Sequence, residues 1–282
     1  MTNPVETETF IEVDDSTMRV VVAGEGDVVV LGHSFLWDAE MWRPQIQVLA
    51  RDHRVVVPEL WGHGGSGPMP PDVRDLRDVA RHHRLMLDRL GIERFTIVGH
   101  SVGGMWATEL ALEAPDRVQG LVLMNTFTGP EPTHPRERYF AMLDVVEASG
   151  MVPSAVLDAV VPMFFATDVA QRHPELPLRF WERLANWNRH RLLDSVVPLG
   201  RMIFGRENRL DVLSRLRMPA LVVAGGEDVA RPAHEGQTMA LELDCGFIEV
   251  PSAGHVCPLE APDAVTSVLR GFLADVRGVH GT

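Results

Sequence analysis

The residues best suited to chemistry are Gly99-His100-Ser101-Val102-Gly103, a Gly-x-Ser-x-Gly run. It lies between an apolar stretch of strand character, Phe95–Val98, and a helix-patterned one, Val102–Glu113. A serine on so tight a strand-to-helix turn leaves little room two residues to either side. Gly99 and Gly103 supply that room because they lack a Cβ. The turn lifts the hydroxyl above the sheet and sets it at a helix N-terminus, where developing negative charge is favoured.

A serine hydroxyl is a poor nucleophile until a base takes its proton, so a histidine must follow. Twelve histidines compete. His82 and His83 fall on a helical pattern, and His134, His173 and His190 in a Pro-punctuated stretch, positions that suit surface or packing roles. His255 stands apart, just past the last predicted strand and before the last helix, in a loop able to carry imidazole over the serine. A carboxylate should then hold the imidazole tautomer, placed after the penultimate strand. Ala220–Ala224 runs into Gly225-Gly226-Glu227-Asp228, and Asp228 is the choice, with Glu227 read as a helix-start acid. Acyl transfer also needs donors for the oxyanion, each worth about 3 kcal/mol of barrier. The Val102 amide is one; if His33-Ser34 fills the usual His-Gly position, the Phe35 amide is the other. His33, Trp37, Trp181 and Trp187 are the side chains expected near substrate, with packing under the site the competing role for His33.

These groups need a scaffold. A hairpin (Thr9–Val13, Met18–Ala23) is followed by alternating strands and helices: Val28–Leu31, a helix at Ala39–Arg51, Arg54–Pro58, a helix at Asp75–Leu90, Phe95–Val98, Val102–Glu113 and Val118–Met124. The rhythm breaks at about Asn125 and resumes with Ala220–Ala224, Ala233–Leu243, Phe247–Val250 and Ala261–Val276. The pattern predicts an α/β fold with a mostly parallel sheet, helices on both faces, and a core of residues 1–125 and 211–282. Residues 126–210 read as a helical lid over the sheet's C-terminal edge, where open α/β sheets bind ligands.

The order Ser101, Asp228, His255 and the turn Gly62-His63-Gly64-Gly65-Ser66 resemble the α/β-hydrolase superfamily over essentially the whole chain. Within it, Ser34-Phe35-Leu36-Trp37, Glu40 to Ile46, Asn125-Thr126 and the length of the inserted segment are most similar to 3-oxoadipate enol-lactonase-like hydrolases. The resemblance implies a serine esterase or lactonase and a structural, non-catalytic His63. Dehalogenases and epoxide hydrolases of this superfamily need a carboxylate where Ser101 stands.

Composition removes other classes. All 26 basic residues are Arg, so chemistry that needs a lysine amine is out. A formal charge of −13 has the wrong sign for tracking phosphates, and no nucleic-acid partner is expected. The acidic, polar N-terminus has no leader-like apolar run, and no stretch of eighteen apolar residues occurs. Cys245 and Cys257 read as free thiols. A cytoplasmic protein with a small-molecule ester or lactone substrate, no membrane partner, no cofactor and no metal is expected. Two alternatives stand beside this reading: a C–C bond hydrolase of a dienoic or β-diketone acid using the same triad, and a non-catalytic ligand receptor on the same fold. Arg179, Arg183, Arg189 and Arg191 in the insertion are candidates for pairing with a substrate carboxylate.

Overall fold

The computed structural model describes residues 5–280; Met1–Pro4, part of the N-terminus read as leaderless, lie outside them. Eight strands form one sheet: β1 (Glu6–Val13), β2 (Ser16–Ala23), β3 (Val28–Gly32), β4 (Arg54–Pro58), β5 (Phe95–His100), β6 (Val118–Met124), β7 (Ala220–Gly225) and β8 (Gly246–Val250). Their order is β1-β2-β4-β3-β5-β6-β7-β8. The two pairings of β2 are antiparallel and all later ones parallel. Central β5 is buried at every position, as a parallel strand covered on both faces must be.

Helices α1 (Arg43–Leu49), α2 (Leu76–Arg89) and α3 (Val102–Glu113) belong to the first half. The expected helix at Ala39–Arg51 is in fact a 3₁₀ turn, Ala39–Trp42, running into α1. Pro44 suits the first turn of α1, where its missing N–H has no helical acceptor anyway. Asp75 caps α2, accepting from the amides of Arg77 and Asp78.

Between β6 and β7 the chain forms only helices: α4 (Thr133–Ser149), α5 (Ser154–Val160), α6 (Val169–Arg172), α7 (Glu175–Ala185), α8 (Arg189–Arg191) and α9 (Val197–Phe204), with 3₁₀ and π turns between them. The core ends with α10 (Ala233–Leu243), α11 (Cys257–Glu260) and α12 (Pro262–His280). Two apolar clusters follow, one on each face of the sheet: α2 packs on α3, and α1 on α12. Among the described residues, no helix is long and apolar enough to cross a membrane.

Candidate active site

Ser101 occupies the turn between β5 and α3 at φ 56°, a left-handed backbone that is costly for any residue but glycine. Its neighbours hold it there. The Ser101 amide donates to Met124 O at 2.9 Å, and Thr126 Oγ1 donates to Ser101 O at 2.6 Å. A Cβ on Gly99 would stand 2.6 Å from Gly104 Cα, and one on Gly103 would strike the main-chain oxygen of Gly32. Both glycines are therefore required by close approach.

His255 and Asp228 meet from two loops at the same sheet edge. His255 Nδ1 lies 2.8 Å from Asp228 Oδ2, and both side chains are buried. That carboxylate is fully satisfied: Oδ2 also accepts from Asn125 Nδ2 at 2.8 Å, while Oδ1 accepts from the Ala230 and Arg231 amides, each at 2.8 Å. Glu227 points elsewhere and accepts from the amide and hydroxyl of Thr167. The other imidazole nitrogen, Nε2, lies 3.5 Å from the Ser34 hydroxyl.

Ser101 and His255 line one cavity of about 120 Å³ whose wall is mostly apolar and comes largely from the segment between β6 and β7. Phe35 lines it too. Among the described residues neither the Phe35 nor the Val102 amide has an acceptor, and Val102 begins α3. The neighbouring Leu36 amide is occupied, donating to His63 Nε2 at 3.2 Å, and Leu36 itself has φ 69°. The loop thus holds one amide and leaves the one before it free.

Of the four side chains expected near substrate, only Trp187 reaches the cavity wall. Trp181 is 37% exposed on α7. Trp37 is buried and stacked on Phe180 at 4.7 Å, with Arg183 over its ring. His33 is consumed by the main chain: Nδ1 donates to Ser34 O at 2.8 Å and Nε2 accepts from the Leu60 amide at 2.9 Å. Burial pushes His33 down to about 4 and His63 down to about 3, so both rings brace the loop at Ser34 and Leu36 as neutral imidazoles. The candidate arginines are engaged or remote: Arg183 pairs with Asp38, Arg191 donates to Gly64 O, and Arg179 and Arg189 are exposed. None of the four lines the cavity.

Three residues matter that their types alone did not single out. Asn125, at φ 47°, ties Asp228 to Gly254 O; its place after β6 was the only hint. His100 donates from Nε2 to His255 O at 2.6 Å. Glu260 accepts from the Gly254 amide at 3.0 Å and the Ala166 amide at 2.8 Å, joining the histidine loop to the inserted helices. Both cysteines are unpaired, and Cys257 donates to Asn125 Oδ1. Asp14, Asp72 and His82 lie close enough to share a metal ion, but Arg81 pairs with both carboxylates and Trp61 Nε1 donates to His82 Nδ1.

The model of the alpha/beta hydrolase fold family matches residues 27–262. The chain belongs to that family. It is 26% identical to a proposed carbamate hydrolase, RutD, of Azorhizobium caulinodans, covering 93% of this chain and 97% of the relative. It is 28% identical to a fluoroacetate dehalogenase of Burkholderia sp., covering 97% and 96%. To 3-oxoadipate enol-lactonase 1 of Acinetobacter baylyi it is 22% identical, covering 93% and 94%. A thermophilic esterase from Thermogutta terrifontis superimposes with a TM-score of 0.83 at 26% identity, covering 98% of this chain and 99% of that one. The protein is thus a hydrolase by family, and its relatives are named for several different bonds.

Proposed function

We propose that this member of the family is a serine hydrolase that cleaves carboxylic esters or lactones through an acyl-enzyme on Ser101. The observation that carries the reading is the 2.8 Å link between His255 Nδ1 and Asp228 beside a cavity that His255 and Ser101, on its strained turn, both line. With Nδ1–H directed to the carboxylate, Nε2 is the basic nitrogen. His255 takes the Ser101 proton as Oγ attacks the carbonyl carbon, and the Phe35 and Val102 amides receive the oxyanion. The same proton then goes to the leaving alkoxide. A water deprotonated by His255 attacks the acyl carbon, and Ser101 leaves with the proton returned.

A hydroxyl at position 101 supports acyl transfer over dehalogenation, which would need a carboxylate nucleophile there. Residues 126–210 serve as the lid that supplies the apolar wall. An oriented relay with two free amides supports catalysis over a receptor role, because a receptor has no use for either.

Short-chain p-nitrophenyl esters and small lactones, assayed with wild type and Ser101→Ala, test the reading. Turnover by wild type and less than about a thousandth of it by Ser101→Ala is expected. A fluorophosphonate adduct should map to Ser101 by mass spectrometry. Retained esterase activity in Ser101→Ala would overturn the mechanism.

A further inference from the structure

The wall of the cavity that Ser101 and His255 line is hydrocarbon over most of its extent. Apart from His255, its ionisable side chains are Glu131, Tyr139 and Arg231. Glu131 and Arg231 pair with each other, Glu131 also pairs with Arg206 at 2.7 Å, and Arg231 Nη1 lies 3.5 Å from Glu235 Oε2. Two guanidiniums thus stand against two carboxylates, and all four side chains are at most 8% exposed. No charge of this cluster is left over to offset one on a ligand. Tyr139, beside them, has its ring stacked on Phe204 at 4.3 Å. A ligand carboxylate placed here would give up its hydration for no counter-charge, which is strongly unfavourable.

The wall is also stiff. Val146 on α4, Val156 and Val160 on α5, and Val197 on α9 all face the cavity. A β-branched side chain in a helix keeps one χ1 rotamer, so these valines cannot swing aside for a longer guest. Size therefore matters as well as polarity. An apolar protein cavity of about 150 Å³ takes up benzene, and this one of about 120 Å³ takes about five carbons on the same scale. The acyl group is the part that stays on Ser101 through both chemical steps, so it is the part that a walled cavity suits.

We propose that this cavity is an acyl subsite for an uncharged, unbranched hydrocarbon chain of about five carbons beyond the carbonyl. The substrates are then esters or lactones of aliphatic monocarboxylic acids, and half-esters of dicarboxylic acids are excluded. The inference takes its cleavage chemistry from the proposed function, but binding in the cavity can be read without turnover.

Two measurements test it. For wild type, kcat/KM over p-nitrophenyl acetate, butanoate and hexanoate should rise about fourfold for each methylene, and octanoate should fall about tenfold below hexanoate. Val156→Ala trims the wall and should move the optimum to octanoate; Val160→Ala serves if that variant does not fold. Calorimetric titration into Ser101→Ala should show methyl hexanoate binding at least about a hundredfold more tightly than monomethyl adipate, which carries a carboxylate in place of the terminal methyl. A rate that is flat or still rising at octanoate, an optimum that neither trimmed variant moves, or adipate bound as tightly as hexanoate would each overturn the proposal. Selective binding by Ser101→Ala with no hydrolysis by wild type keeps the subsite and sinks the esterase reading. Hydrolysis with no preference for chain length or charge does the reverse.

Discussion

His100 Nε2 donates to the main-chain oxygen of His255 at 2.6 Å, and their rings stand edge to face with centroids 5.0 Å apart. The residue before Ser101 therefore clasps the residue proposed to activate that serine, across 155 positions of sequence. Burial holds His100 well below the usual histidine range, so it is a neutral donor. A bond of this kind fixes the height of the His255 loop above Ser101, which acyl transfer needs to within a fraction of an ångström.

Replacing His100 with Phe keeps the ring and removes the donor. The His255 carbonyl is then buried without a partner, a cost of about 1–3 kcal/mol that the loop can escape by shifting. We expect kcat to fall about tenfold to a hundredfold with little change in KM, and His100→Gln to recover part of it. Steady-state kinetics on a p-nitrophenyl ester decides. Equal kcat in the Phe variant would show that the clasp is not needed.

Asp228 and Glu227 are adjacent, and their surroundings separate them. Asp228→Asn should lower kcat by about four orders of magnitude, because an amide donor facing imidazole favours the wrong tautomer. Glu227→Gln releases only the contact with Thr167, which is exposed, and should stay near wild type. If Glu227→Gln were the inactive variant, the acid would have to be reassigned.

The proposed triad could be put forward from sequence because its members sit at element ends that hydrophobic period reveals: β5 into α3 for Ser101, and the ends of β7 and β8 for Asp228 and His255. The sheet was legible for the same reason, since β5 and β6 are continuous apolar runs. The cavity wall was not. Trp181 and Trp187 sit six residues apart on or beside α7, yet one faces solvent and the other the cavity, and helix orientation in the insertion is set by tertiary packing. His33 was ambiguous because its two bonds are to main chain 27 and one residues away, which side-chain type cannot announce. Arg231 was hidden in the same way: the arginines on the insertion drew notice, and the one that lines the cavity comes from the core.

Four buried histidines carry a pH prediction. Burial lowers His33 to about 4, His63 and His83 to about 3, and His100 well below its usual value. Each is neutral when folded and protonates near 6.5 when unfolded. Between pH 6.5 and about 4 the unfolded chain therefore binds more protons, so stability rises with pH and is lost on acidification. His33 alone is worth about 2 kcal/mol at pH 5. Glu260, pushed up to about 7 by burial, has the opposite sign and offsets part of this. Urea midpoints should fall steadily from pH 7 to pH 5. A flat profile would mean that these rings are charged in the folded protein.

Two glycines in helices should respond oppositely to alanine. A Cβ on Gly103, in the first turn of α3, would strike the Gly32 carbonyl and crowd His33 O at 3.0 Å, and both of those are main-chain atoms with no soft side chain to give way. Overpacking of that kind costs about 1–3 kcal/mol, and here it also pries β3 from the elbow. Gly103→Ala should therefore melt several degrees lower and lose activity beyond what its stability loss explains. Gly271, in α12, has nothing within 4 Å of its would-be Cβ and is exposed. There alanine only removes unfolded-chain freedom, and Gly271→Ala should gain about 0.5–1 kcal/mol with unchanged kcat. Calorimetric melting of the two variants beside wild type reads both signs at once. A Gly103→Ala protein as stable and active as wild type would show that the turn carrying Ser101 can open, and the case for a rigid elbow would fall with it.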